Sequence, residues 1–498
     1  MTVLIFILKS LRFYWRSNLW VLSGVIIGAI ALTGALVVGT SVETSLVKIA
    51  EMRLGKTDYA LIGEDVPFRS ALAQDVSTDK NIITAAILSL KGTLIHSNSG
   101  KKLINAAVLG IDSTFWSFCR EEFNPVISGR NIAVNARAAK ILGVQRGDRL
   151  ILRVGKDLIT PLDIPISTND DGFTSFPVTI SEIVDDNQMG RFDFRSNQVS
   201  PANIFIDREY LIEKLDVPNI SNIILVAGDH RNVTDELSID KLNDILQDKL
   251  HTTDLNLNIR KLSKVGKLEI TSKNVFFNSN IYEQLLEMSK SAERVFTYFV
   301  NEIRHNTQSI PYSFVAGIEN DLYPNLANNE ILINNWAAQE LDVSSGDTLV
   351  LKYFTLGISS ELLEDSTAFV VKDVIPMKGF AGDPTLMPDF NGLSDSENCK
   401  DWHPGIPVDL DLITKRDEDY WDQHKGTPKA FINIDTARRM WTNRFGDLTS
   451  IRFSVEEYSI ESLSKVLLMS LKPEQLGFKF LPVREQAITG ARDGVDFG

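Results

Sequence analysis

Cysteine, histidine and long apolar runs are all scarce in this sequence, and each scarcity closes off a class of function. Only two cysteines, Cys119 and Cys399, occur in 498 residues. That excludes a disulfide framework and any zinc site built from CxxC pairs. Nothing in their spacing or context pairs them, and the usual fate of such thiols is burial in a core. Histidines number six. There is no nucleophile elbow, P-loop, HExxH pair or dinucleotide fingerprint. No enzyme activity, cofactor or metal is therefore expected, and ATP is not bound by this chain through a P-loop.

The richest collection of polar chemistry lies between Cys399 and His424. It holds Asp401, His403, Asp409, Asp411, Asp417, Asp419, Asp422 and His424. Carboxylate and imidazole could ligate a divalent cation, but neither EF-hand nor zinc spacing is present, and Pro404 and Pro407 break the periodicity. A solvated acidic loop is the expected reading. Trp402, Trp421 and Trp441 crowd the same region and read as anchors of a packed lobe.

Charge is unevenly distributed along the chain. Residues 1–40 carry Lys9, Arg12 and Arg16 and no carboxylate, while the remainder sets 48 basic against 65 acidic residues, a formal charge of −17. A body that acidic repels nucleic acid, so DNA and RNA binding are discarded.

The basic residues fall at i, i+3 and i+7, one stripe along a helix otherwise rich in Leu, Ile, Phe and Trp. Such a helix suits the cytoplasmic face of a membrane. Ser17 and Asn18 then allow a bend. From Asn18 to Val42, 25 residues pass without a charge, where a spanning helix needs about 20. Basic residues flank only its N-terminal side, which places the N-terminus in the cytoplasm and the body outside it. A cleavable leader would need a shorter apolar core and a small-residue site, and Val37-Val38-Gly39 is a poor one. Gly24 and Gly28 form a GxxxG, a strip on which a second membrane helix can pack.

The body repeats itself. IAVNARAAKILGVQRGDRLIL (Ile132 to Leu152) and ILINNWAAQELDVSSGDTLVL (Ile331 to Leu351) align without gaps and share 10 of 21 residues, the mark of a duplicated unit. Each copy reads as a strand, an Asn N-cap (Asn135 or Asn334), a helix of one to two turns, and a Gly-Asp turn (Gly147-Asp148 or Gly346-Asp347) into the next strand. Further strands trail each copy, at Phe176–Val184 and Thr367–Ile375, and a strand and helix follow in both. Between the copies, Ile281, Leu285, Met288, Ala292, Val295, Phe299 and Ile303 share one face, which predicts a helix over Asn280–Asn306. The fold class expected is α+β: one transmembrane helix with a stalk, then two related strand-rich lobes.

With these features on the page, the chain resembles the permease subunits of the FtsX/MacB/LolE-type ABC transporters. The run SLRFYWRSNLWVLSGVIIGAIALTGALVVGTSVETSL with RLGKTDYAL is similar to their first span and stalk. DEDYWDQHKGTPKAFINIDTARRMWTNRFGDLTSIRF (Asp417 to Phe453) is similar to a late segment of their periplasmic domain. The resemblance implies a cytoplasmic-face helix at 1–17, a span at 18–40, a stalk at 41–56, lobe 1 at 57–275, a connecting helix at 276–308, and lobe 2 with a return segment at 309–498. It implies a bacterial inner-membrane protein that passes the work of a separate P-loop ATPase to a MacB-like periplasmic domain. A second permease, membrane lipid, and a lipoprotein, peptide, amphiphile or periplasmic protein are its implied partners. Family permeases return through three more spans. No second run here is long enough to cross, so a truncated, fragmentary or split permease is expected. The other reading is a single-pass, membrane-anchored periplasmic binding or sensor protein that needs no ATPase.

Overall fold

The computed structural model describes residues 3–493, apart from 64–65, 78–81, 156–172, 195–199, 229–236, 274, 278, 287–288, 290–291, 358–360, 391–392, 395, 400–401, 403–406 and 472. It opens with α1 (Val3–Phe13), followed at once by α2 (Trp15–Leu54), a single helix of 40 residues. The break between them sits at Tyr14, not at Ser17 and Asn18. Both of those residues lie inside α2, because the uncharged run has neither Pro nor a capping partner there to stop it. The apolar part of α2 is buried against nothing in the protein and is long and apolar enough to cross a membrane. Span and stalk are therefore one rod, roughly 60 Å long at 1.5 Å per residue.

Lobe 1 is built from β1 (Tyr59–Ile62), β2 (Phe68–Arg69), α3 (Leu72–Val76), β3 (Ile82–His96), β4 (Lys102–Ile111), β5 (Asn131–Asn135), α4 (Ala136–Leu142), β6 (Arg149–Gly155), β7 (Phe173–Val184), β8 (Asn203–Asp207), α5 (Arg208–Leu215), β9 (Ile220–Ser221), β10 (Ile223–Gly228) and α6 (Ile239–Lys249). Lobe 2 contains β11 (Leu257–Leu262), β12 (Lys267–Ser272), α7 (Ser279–Leu286), β13 (Glu293–His305), β14 (Gln308–Ile318), β15 (Glu330–Asn334), α8 (Asn335–Leu341), β16 (Thr348–Leu356), β17 (Leu362–Ile375), α9 (Lys415–His424), β18 (Ala430–Asn433), α10 (Ile434–Trp441), β19 (Ser450–Ser454) and α11 (Ile460–Ser470). The chain then returns through β20 (Phe480–Leu481) and α12 (Val483–Asp493).

Each lobe is built on one nine-stranded sheet, beside which lobe 1 has the two-stranded pair β2-β9, and the two large sheets follow the same plan. In lobe 1 the order is β20-β1-β10-β3-β4-β8-β5-β7-β6, and β6 pairs back onto β3. In lobe 2 it is β11-β12-β19-β13-β14-β18-β15-β17-β16, and β16 pairs back onto β13. Six strands of each sheet thus close a barrel, which removes their free edges. The parallel pairs match as well: β4 with β8 and β5 with β7, against β14 with β18 and β15 with β17.

The repeated sequence produces the same local geometry twice. Asn135 Oδ1 accepts from Ala138 N at 3.0 Å, and Asn334 Oδ1 from Ala337 N at 2.8 Å. Each cap thereby satisfies an orphan donor of a seven-residue helix. Gly147 and Gly346 turn at φ +92° and +98°, a region an L side chain rarely enters. Asp148 accepts from Gln145 N, and Asp347 from Ser344 N, both at 2.8 Å.

Three boundaries differ from the sequence reading. Asn280–Asn306 is not one helix. Helix α7 ends at Leu286, Met288 lies outside the described residues, and Glu293–His305 is the barrel strand β13. The helical spacing is real, but Val295-Phe-Thr-Tyr-Phe-Val300 buries all six side chains, as a strand covered on both faces does. Lobe 2 begins earlier than residue 309, since β11 and β12 at 257–272 pair through to β19. The last strand, β20, belongs to lobe 1, where Ala60 faces Leu481 and Leu61 faces Phe480. Lobe 2 is an insertion within the sequence of lobe 1.

Candidate functional site

The place where this fold can do work is the joint between α2 and lobe 1. The last turn of α2 buries Ala50, Arg53 and Leu54. Ala50 and Leu54 enter a core with Ala60, Phe118, Met189, Val483 and Ala487. The helix stops at Gly55, whose φ is +57°. A Cβ there would collide with the Phe118 carbonyl and the Met189 sulfur, so only glycine permits this close seat. Lys56 N then donates to Phe118 O at 2.8 Å and Lys56 Nζ to Ser117 O at 3.1 Å. Arg120 reaches across to the helix, with Nη1 3.1 Å from Glu51 Oε2.

The return segment closes the joint from the other side. Arg484 of α12 donates Nε to Asp58 Oδ1 at 2.7 Å and Nη2 to Gly55 O at 2.9 Å. The other oxygen of Asp58 accepts from Gly228 N at 3.1 Å. One carboxylate therefore ties α12, the foot of α2 and the end of β10 together. Helix α12 runs beside α2 in the opposite sense: Arg484 sits by residues 55–58, and Arg492 Nε lies 3.4 Å from Glu43 Oε1. Its buried positions are Val483, Ala487 and Ala491, the two alanines small enough for the backbones to come close. Burial lowers the pKa of the Arg53 guanidinium, with the charge of Asp193 opposing that fall.

The residues singled out in the sequence fall in different places. Lys9 and Arg12 lie on α1 and Arg16 on α2, past the break at Tyr14; the Arg16 guanidinium sits 5.5 Å from the Trp15 ring centroid. Gly24 and Gly28 lie on the exposed length of α2, where an added Cβ would meet nothing within 4 Å. Gly147-Asp148 and Gly346-Asp347 are turns inside the barrels and take no part in the joint. The joint itself was not legible in advance. Arg484 and Asp58 are 426 residues apart, and no local pattern marks either.

Among the described residues, the Cys399–His424 segment does not gather into a ligand set. Asp401 and His403 lie outside the described residues. Asp409 accepts from Asp411 N at 3.1 Å, and Asp417 Oδ2 accepts from Thr414 N at 3.0 Å to start α9. Trp402, Trp421 and Trp441 are buried in the lobe 2 core, with Trp441 stacked on Tyr298 at 5.1 Å between centroids. The two cysteines are free and buried in different lobes. Burial pushes the Cys119 thiol up to about 11 and the Cys399 thiol up to about 12.

No family model and no curated protein matches this chain. Among solved structures, the periplasmic region of MacB from Actinobacillus actinomycetemcomitans is similar over 48% of this chain and 96% of that one, at 12% identity and a TM-score of 0.28. The extracellular domain of YknZ, a noncanonic ABC-type transporter from Gram-positive bacteria, is similar over 38% of this chain and 88% of that one, at 9% identity and a TM-score of 0.24. Likeness at that level assigns no activity.

Proposed function

We propose that this chain is the membrane-anchored permease component of an ABC transporter, with its N-terminus in the cytoplasm of a bacterial cell and its lobes outside the inner membrane. ATP is hydrolysed on a separate P-loop subunit. Helix α2 carries the resulting movement to lobe 1, and α12 carries it back toward the membrane. The observation that supports this is the continuity of α2: one helix joins an apolar, exposed length to a foot seated in lobe 1. A simple anchor would work equally well through a flexible linker, whereas a lever must be stiff and fixed at its end. Gly24 and Gly28 offer a flat strip for a second permease, and Lys9, Arg12 and Arg16 suit anionic head groups. The cargo class is a lipoprotein, peptide, amphiphile or periplasmic protein.

Affinity purification of the full chain from native membranes tests the reading. A P-loop ATPase and a second permease should co-purify. A chain that is inserted and folded yet recovers neither is a single-pass binding or sensor protein instead. In the assembled complex, Ser45→Pro interrupts the rod by removing a backbone donor and clashing with the preceding turn. It should leave assembly intact and uncouple ATP hydrolysis from transport.

A further inference from the structure

The two lobes differ most in one connection. Eighteen residues separate β7 from β8, but 54 separate β17 from β18. The extra length in lobe 2 carries α9 and walls off a cleft of about 540 Å³ against the barrel, within the range of about 300–1,000 Å³ typical of small-molecule sites. Tyr312, Trp336 and Phe354 supply an aromatic floor, and Leu412 of the insertion faces them.

The charges around this cleft are matched, with one exception. Lys352 Nζ lies 2.8 Å from Glu302 Oε2, and Arg416 pairs with Glu340. Behind the floor, Lys429 Nζ lies 3.6 Å from Asp417 Oδ1 and 4.7 Å from the Trp336 ring centroid. Glu364 has no ion pair among the described residues; it accepts from Asn301 Nδ2 at 3.1 Å. That bond fixes how the Asn301 amide is turned, because the reverse orientation would set its oxygen against the carboxylate. Asn301 Oδ1 is buried and has no hydrogen-bond partner among the described residues. That oxygen is closed off from the cleft, so Glu364, at the open end of the amide, is the group there that asks for positive charge.

We propose that the lobe 2 cleft binds an organic ammonium ion with an apolar body. The ammonium donates to Glu364, and the body lies on Trp336, Tyr312 and Phe354. A carboxylate-headed ligand of the same shape meets like charge at Glu364. The site is complete within lobe 2 and does not rest on the lever reading.

The test uses the full chain in lipid nanodiscs, with empty discs subtracted, and follows fluorescence anisotropy of dansylcadaverine against 6-(dansylamino)hexanoic acid. The two share a fluorophore and carry heads of opposite charge. Saturable binding of the amine is expected, with the acid weaker by about tenfold or more. Glu364→Gln should weaken the amine by roughly fivefold or more, with the Glu364→Gln chain unfolding at the wild-type temperature. No saturable binding, equal affinity for both heads, or binding untouched by Glu364→Gln overturns the proposal. Co-purification of an ATPase is read separately, so either result can fail without the other.

Discussion

Arg484 and Asp58 meet at 2.7 Å across 426 residues of chain. Their contact fastens the last helix to the foot of the first long one. Replacing Arg484 with Ala removes a charge-assisted bond and the donor to Gly55 O, for a loss of about 1–3 kcal/mol. Amide hydrogen exchange should rise across 480–493 and around 50–58, with lobe 2 unchanged. Uniform protection would mean that the apolar contacts of α12 hold the joint alone.

Gly28→Leu fills the flat strip on α2 without touching anything inside the chain, since a Cβ there meets no atom within 4 Å. Folding of the lobes should be unaffected. Where α2 packs on a second permease as proposed, recovery of that partner in a pull-down should fall several-fold, and a Gly28→Ala chain should fall between. Equal recovery from all three removes the packing role of this face.

Arg452 is the centre of a buried network. It donates Nε to Glu269 Oε1 at 2.9 Å, Nη1 to Asp383 Oδ2 at 2.7 Å and Nη2 to Thr385 Oγ1 at 3.0 Å. Arg452→Met leaves buried Asp383 without its cation and Glu269 with Arg260 alone, at a cost of about 3–5 kcal/mol. The triple change Arg452→Met, Glu269→Gln and Asp383→Asn should recover part of that loss. Urea unfolding of lobe 2, followed through its tryptophans, measures both.

Lys429 should give lobe 2 a distinctive alkaline response. Burial lowers its pKa to about 8, against the pull of Asp417. The folded state thus sheds a proton near pH 8 that the unfolded chain keeps until its ordinary value, so stability rises with pH in between. The two buried thiols act oppositely, because their raised values make stability fall once an unfolded cysteine ionises. Comparison with Lys429→Met cancels Cys119, and carrying Cys399→Ala in both chains removes the thiol that feels the Lys429 charge. Stability of the chain with Lys429 relative to the one with Met should rise from pH 8 to pH 10, and a flat difference would show that Lys429 titrates normally.

Gly147→Ala and Gly346→Ala test the duplication energetically. Both glycines have φ near +95°, and both have open space for a Cβ. Each substitution should cost about 1 kcal/mol through backbone strain alone, and the two costs should agree within a few tenths. Separate unfolding transitions of the lobes would report them.

What the sequence revealed is what local pattern can encode. The uncharged run after Asn18 needed only a count, and the duplicated unit needed only self-comparison. Barrel closure was hidden because the β3–β6 and β13–β16 pairings join segments tens of residues apart. Strand β13 was misread because its buried residues fall at helical spacing as well as in a continuous run, and burial on both faces decided between them. The joint lay deepest, since β20 and α12 reach lobe 1 only after the whole of lobe 2. The Asn301 and Glu364 contact was equally invisible, as β13 and β17 are brought near each other only by pairing on either side of β16.

The insertion of lobe 2 within lobe 1 has a consequence for synthesis. Ribosomes deliver β1 long before β20, so the outer edge of β1 waits unpaired while some 400 further residues are made. Lobe 2, whose strands all lie between 257 and 454, can complete its own sheet in that interval. Lobe 1 becomes whole last, when Phe480 and Leu481 arrive and α12 settles against α2, made long before. Any factor that shields an open strand edge during that wait would act on β1, and the finished protein would carry no trace of it.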